Sequence, residues 1–292
     1  MKVLKTRRGD ILLPAYIPVT TFGNKYPLDK LIQPYLPRLA SAMMVSYSYA
    51  KKLDHEPALP LFVDSGGFAS LFEKSKIEKR GKVAVLKVAT DDGFETIHPR
   101  DVLELQERIA DVAFTLDFPI PPGMNMRQAN RRKKLTIGNA KWAIENRRRK
   151  DMLLFGCIQA WDAQSAKEVA SEYAAMGFDG IAIGGLIPRA KNLELVVEIV
   201  SVIREKVPKL PLHVFGLGKP ETAKQLFELG VDSIDSSSYI KNAANGRMWD
   251  KQDFELNDAA IPDRLRLALQ NLNLAIKHTS SHPKSETLRR IL

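Results

Sequence analysis

The stretch LLFGCIQAWDAQSAKEVASEYAAMGFDGIAIGGL, Leu153–Leu186, contains the repeating unit of the chain. Its opening run, Leu153–Gln159, is almost continuously apolar, as a strand covered on both faces requires. Ser165–Met176 has helical spacing and stops at Gly177, a residue suited to the left-handed position after a helix. Gly180–Ile183 is a second apolar run. Strand, helix and strand in this order make a parallel crossover unit.

The alternation continues on both sides. Strand-like runs occur upstream at Leu12–Val19, Ala42–Ser46, Leu61–Asp64 and Val112–Asp117, and downstream at Leu212–Leu217 and Val231–Asp235. Helical patterns lie at Arg100–Ile109, Arg127–Arg149, Leu193–Lys206 and Glu221–Leu229, the last opened by Pro220 and closed by Gly230. Eight strands alternating with helices in 292 residues predict an α/β fold, a (β/α)8 TIM barrel, with an open doubly wound sheet as the alternative. One domain over residues 1–292 follows. Lys82–Ile97 predicts a small inserted β-hairpin turning at Asp92-Gly93. Pro262–His278 sets Leu265, Leu269, Leu272 and Ile276 at helical spacing and predicts a C-terminal capping helix. It lies in a helical extension over about residues 250–292. The polar stretch Thr279–Ser285 after it is expected to be loose.

Composition narrows the class. Hydrophobic residues are 45% and charged residues 27%, which excludes a disordered chain. No apolar run approaches the roughly 20 residues of a membrane span, and the first residues lack the apolar core of a signal peptide. A single cysteine, Cys157, excludes an internal disulfide and a multi-cysteine zinc site. A soluble, cytoplasmic protein is expected. The net charge of +10 favours a polyanionic partner. Two basic runs, Arg131-Arg132-Lys133-Lys134 and Arg147-Arg148-Arg149-Lys150, are candidates to grip nucleic-acid phosphates; a solvated helix face is the plainer reading.

In a barrel of this kind chemistry sits at the C-terminal ends of the strands. There the sequence puts Asp64-Ser65-Gly66-Gly67-Phe68, Asp117, Gln159, Gly184-Gly185-Leu186, Gly216-Leu217-Gly218 and Asp232-Ser233-Ile234-Asp235. Asp64, Asp117, Asp232 and Asp235 are expected at one mouth unless strand alternation turns Asp232 elsewhere, and an aspartate at a strand end also serves as a helix cap. Asp117 and Gln159 suit the edge of a purine-like base. The bare Gly184 and Gly185 let a ligand approach backbone N–H groups, and Phe68 and Phe215 are placed to flank a flat ring. Gly216–Gly218 is weak evidence for phosphate binding. Cys157 and His213 read as packing residues, and Trp142, Trp161 and Trp249 as packing more than stacking residues.

Asp64–Phe68, Phe155–Gln159, Phe178–Leu186 and Gly230–Asp235, in this order and spacing, resemble the tRNA-guanine transglycosylase family. Leu13–Val19 is similar to that family's first strand, and Asn242–Gly246 to the segment after its last. The resemblance covers residues 10–247. It implies a TIM barrel that exchanges guanine in a polynucleotide for a free 7-deazaguanine base. It implies Asp235 as nucleophile and Asp64 as general acid and base. It implies that Ser65, Asp117, Gln159, Gly184, Gly185 and Leu186 hold the base edge while Phe68 and Phe215 stack on it, where the family uses Tyr and Met. The residues alone leave open which carboxylate plays which part.

The chain departs from the family's tRNA enzymes in three ways. After Gly246 it lacks their Cys-x-Cys-x-x-Cys zinc motif; His278 and His282 stand without a thiol, so no metal and no cofactor is expected. Where the bacterial enzymes carry two arginines after the nucleophile, it has Lys241, left as a phosphate contact, and Ala244. Nor is an appended RNA-binding module expected. These departures favour the branch that acts on DNA, the DpdA-like 7-deazaguanine transglycosylases, with DNA as partner, and leave room for a helper protein that opens the duplex. The alternatives are a zinc-free tRNA-guanine transglycosylase, a non-catalytic partner subunit of the family, and a small-molecule barrel enzyme binding phosphate at the glycine turns.

Overall fold

The computed structural model describes residues 2–21, 27–53, 55–90, 93–255 and 260–280. Eight parallel strands make the barrel: β1 (Ala15–Pro18), β2 (Met43–Ser46), β3 (Leu61–Asp64), β4 (Val112–Phe114), β5 (Leu153–Gln159), β6 (Gly180–Gly184), β7 (Leu212–Val214) and β8 (Ser233–Ser236). Their order around the sheet is β1-β8-β7-β6-β5-β4-β3-β2, and a bridge from Val19 to Met44 joins its two edges. The expected barrel is therefore the observed one, and the open sheet is excluded. Among the described residues no helix is long and apolar enough to cross a membrane.

Alternation sorts the strand side chains into two cores. Ala15, Ile17, Met44, Phe62, Val112, Phe114, Phe155, Cys157 and Ala182 fill the interior. Their neighbours Tyr16, Val45, Val63, Leu154, Ile158, Ile181, Val214 and Ile234 face the surrounding helices. The interior is a packed plug rather than a pore, so the end of the barrel is the place left for a ligand.

Four elements differ from the sequence reading. The run Leu12–Val19 is broken at Pro14, which has no N–H to give a ladder. Gly9–Leu13 pairs instead with Lys2–Thr6 as an antiparallel hairpin, and its Ile11 and Leu13 close the barrel floor. The expected hairpin is present as Val83–Thr90 paired with Gly93–Ile97, and Lys76–Arg80 adds a third antiparallel strand to it. Of its expected turn, Asp92 lies outside the described residues. Arg247–Met248 and Lys251–Glu255 form a further short pair. The C-terminal helix, Ile261–Ile276, lies in the outer layer beside β1 and the helix Ser238–Ala244, and so covers the barrel's flank rather than an end. Asn271 donates to Tyr239 O (3.1 Å) and Arg247 O (3.0 Å), which holds it there.

The long helix Met126–Asn146 ties the insertion to the barrel. Asn139 donates to Ala84 O and Leu116 O, both at 3.1 Å, and accepts from Ala84 N at 2.7 Å. Thr136 Oγ1 accepts from Phe118 N at 3.0 Å. At the floor the buried Asp111 accepts from Leu61 N (2.8 Å) and Arg8 N (3.1 Å) and pairs with the Arg8 guanidinium. Replacing Asp111 by Ala removes the acceptor of two N–H groups and leaves the mostly buried Arg8 guanidinium, among the described residues, with only the exposed Glu56, at 3.3 Å, as its ion-pair partner. Urea unfolding is expected to show a loss of about 3–5 kcal/mol. A loss below about 1 kcal/mol, typical of surface pairs, would refute this account.

Candidate active site

The inward positions that end β3, β5 and β8 belong to Asp64, Gln159 and Asp235, and Asp117 follows three residues after β4. All four open at the same end of the barrel, because parallel strands present their C-terminal ends together. Asp117 is buried, accepts from Ser65 Oγ at 3.1 Å and receives the Gln159 amide N–H on its other oxygen. Burial pushes its carboxyl above the ordinary carboxylate range, against those two donors. Gln159 Oε1 is left buried with no hydrogen-bond partner. Such an acceptor costs about 1–3 kcal/mol, which a ligand N–H would relieve.

Bare backbone makes this arrangement possible. A Cβ on Gly67 would lie 2.0 Å from Asp117 O, and one on Gly184 2.0 Å from Gln159 Nε2. The buried Arg189 donates to Gly185 O at 2.7 Å and to Ile120 O at 2.9 Å, and so fixes the loop after β6. Leu186 is buried in the same loop.

Asp64 is half-buried and accepts from Gly66 N at 3.1 Å. This is the local turn pattern of an aspartate rather than a helix cap. Burial, then the neighbouring Asp117 and Asp235 charges, push its pKa up to about 7, while the Gly66 N–H opposes them. Asp235 is buried, and its Oδ1 accepts from Gly216 N at 3.1 Å and contacts His213 Nε2 at 3.2 Å. Phe215 is half-buried over Phe114 and His213, with centroids at 4.8 and 4.9 Å, whereas Phe68 stands on the rim, 56% exposed and edge-on to Phe72.

Several expected residues lie elsewhere. Asp232 precedes β8 and sits at the floor, where it pairs with Lys2 (2.8 Å) and Arg204 (3.0 Å); the mouth has three of the four carboxylates. Arg147, Arg148 and Arg149 follow the C-terminal end of the long helix, also at the floor. Arg147 pairs with Asp179, Arg149 with Asp151, and Glu107 accepts from the backbone of Arg148 and Arg149. In the first run, Arg132 donates to Pro119 O (2.6 Å) and Ser70 O (3.4 Å), straps the mouth loops together and is partly withdrawn from a partner's reach. Lys133 pairs with Glu168 and lies over the Trp161 ring. Arg131 and Lys134 are exposed at the mouth end, as is Lys241 on the helix after β8.

His213 packs as expected, among Phe62, Phe114 and Phe215, and also touches Asp235. Its signal was its place one residue before the end of β7, opposite Ser233. Cys157 is sealed in the barrel interior, where burial pushes its thiol up, so it fits no thiolate zinc site. Among the described residues no group of three or more metal-binding side chains is assembled; His282 lies outside them.

A tRNA-guanine(15) transglycosylase of Methanococcus aeolicus is 32% identical over 159 residues, 52% of this chain and 24% of the relative. A queuine tRNA-ribosyltransferase of Aquifex aeolicus is 27% identical over 279 residues, 85% of this chain and 72% of the relative. A tRNA-guanine(15) transglycosylase of Methanothermobacter thermautotrophicus is 27% identical over 84% of this chain and 36% of its own length. The chain thus spans about a quarter to a third of the archaeal relatives and under three quarters of the bacterial one. The model of the queuine tRNA-ribosyltransferase family matches residues 1–282, and the chain belongs to that family.

Proposed function

We propose that the protein is a pentosyltransferase that exchanges guanine in tRNA for a free 7-deazaguanine base through a covalent aspartyl-glycosyl intermediate. One observation carries the reading: a carboxyl that stays protonated to about pH 7, Asp64, faces a second carboxylate, Asp235, across a mouth floored by a base-shaped donor and acceptor set. The names of the relatives favour tRNA over the DNA substrate expected from the missing arginines and zinc motif.

Asp235 attacks C1′ of the target nucleoside, and the C1′–N9 bond breaks with its electron pair on the departing guanine. Asp64 gives its proton to that base. The incoming base then returns a proton to Asp64, its N9 attacks C1′, and the ester bond to Asp235 breaks to restore the carboxylate. A carboxylate nucleophile thus divides one hard substitution into two. Asp117, Gln159 and Ser65 present the edge that holds the base, with Gln159 Oε1 waiting for a donor. The loop Gly184–Leu186 brings backbone to the same slot, and Phe215 and Phe68 bound it on two sides. Arg131, Lys134 and Lys241 are the cations left to meet phosphates.

Purified protein is expected to incorporate radiolabelled guanine into tRNA, and Asp235→Ala to abolish it. Label in DNA alone would overturn the tRNA assignment and restore the DNA one. Formation of the covalent intermediate needs protonated Asp64. Its single-turnover rate is therefore expected to fall as pH rises through about 7, and Asp64→Asn to remove that dependence. The same proton has a cost to folding. A carboxyl whose folded pKa is raised binds its proton more tightly in the native state, so stability falls from the ordinary carboxylate range up to about pH 7. Asp64→Asn is expected to melt higher than wild type at pH 8, with a smaller difference at pH 4; equal gains at both would refute the assignment.

A further inference from the structure

We infer that His213 is a positioning residue, a neutral ring that fixes the Asp235 carboxylate for attack with its tautomer set by Ser233. The inference rests on the exchange reading of Asp235.

The pairing of β7 with β8 sets His213 opposite Ser233, two residues before Asp235, so all three side chains share the inward face. Ring atom Nδ1 lies 2.8 Å from Ser233 Oγ and Nε2 lies 3.2 Å from Asp235 Oδ1. An ionised carboxylate only accepts, so the Nε2 proton points at Asp235. Nδ1 then accepts from the Ser233 hydroxyl, and one ring proton satisfies both contacts. A second ring proton would force Ser233 to turn round. The ring has no exposure and is held among the rings of Phe62, Phe114 and Phe215, with centroids at 5.8, 5.0 and 4.9 Å.

Oδ1 of Asp235 therefore receives two donors, His213 Nε2–H and Gly216 N–H. Two donors on one oxygen fix the carboxylate plane and leave Oδ2 with no donor among the described residues. Oδ2 is the atom that forms the bond to C1′, and Oδ1 becomes the ester carbonyl. In the return step the electron pair of the C1′–Oδ2 bond goes back to the carboxylate, which the two donors hold more strongly than the ester. A neutral donor orients the nucleophile without quenching its charge, as an ion pair would.

The test is guanine exchange into tRNA by wild type, His213→Gln and His213→Phe, with ¹⁵N spectra of the wild-type imidazole. Loss of one oriented bond to a charged group is expected to lower kcat of the Phe variant by about ten- to a hundredfold. The KM for tRNA and for guanine should stay close to wild type. Gln, whose Nε2 reaches the same place, should recover most of the loss. The spectra should show a ring protonated at Nε2 alone. Active wild type with Gln as slow as Phe, a change in KM alone, or a ring protonated at Nδ1 overturns the inference. Wild type that exchanges no guanine overturns the exchange reading and takes the inference with it. Should the Phe variant fail to fold, the ring spectrum decides: Nε2–H supports the inference, and any other protonation state overturns it.

Discussion

The mouth depends on two-residue alternation kept in register around a closed ring of parallel strands. Below it, Ile17, Met44, Phe62, Phe114 and Phe155 fill the interior, so the carboxylates stand at the last inward positions, with the neutral side chains of His213 and Ser233 beneath Asp235. The pairing of Asp235 with Ile17 and of Ser46 with Asp64 sets which residues occupy them. A slip of one residue in β8 would bring Ile234 inward and turn Asp235 into the helix layer.

Three carboxyls gathered at one opening repel one another, and each is accommodated differently. Asp117 takes neutral donors from Ser65 and Gln159. Asp235 takes them from Gly216 and His213. Among the described residues Asp64 has only backbone N–H groups, of Gly66 and Ser65, and carries the burden as a retained proton. Unequal solvation of chemically identical groups is what separates an acid from a nucleophile.

The barrel was legible because buried parallel strands write themselves as apolar runs, and β3 and β5 begin and end where those runs do. The ends of β4 and β7 were not. Thr115–Asp117 and Phe215–Leu217 stay buried or half-buried as they line the mouth, so burial outlasts the ladder. The floor hairpin was hidden because Ile11–Leu13 and Ala15–Ile17 read as one run around Pro14. The two basic runs look equivalent as charge. Yet they stand sixteen residues apart, which on a helix is about 24 Å, enough to put them at opposite ends of the barrel. Partner choice was the least legible, because a lost arginine reports which contact is missing, not which polymer replaces it.

The long helix has a consequence for how a polymer would be measured out. Thr136 and Asn139 hold the Phe118 and Leu116 backbone on either side of Asp117, and the same helix carries Arg131 and Lys134 one to two turns earlier. In the proposed reaction the group that reads the base and the cations that meet the chain are mounted on a single strut. The distance from the base slot to those cations is therefore set by one helix and not by the loops around the mouth.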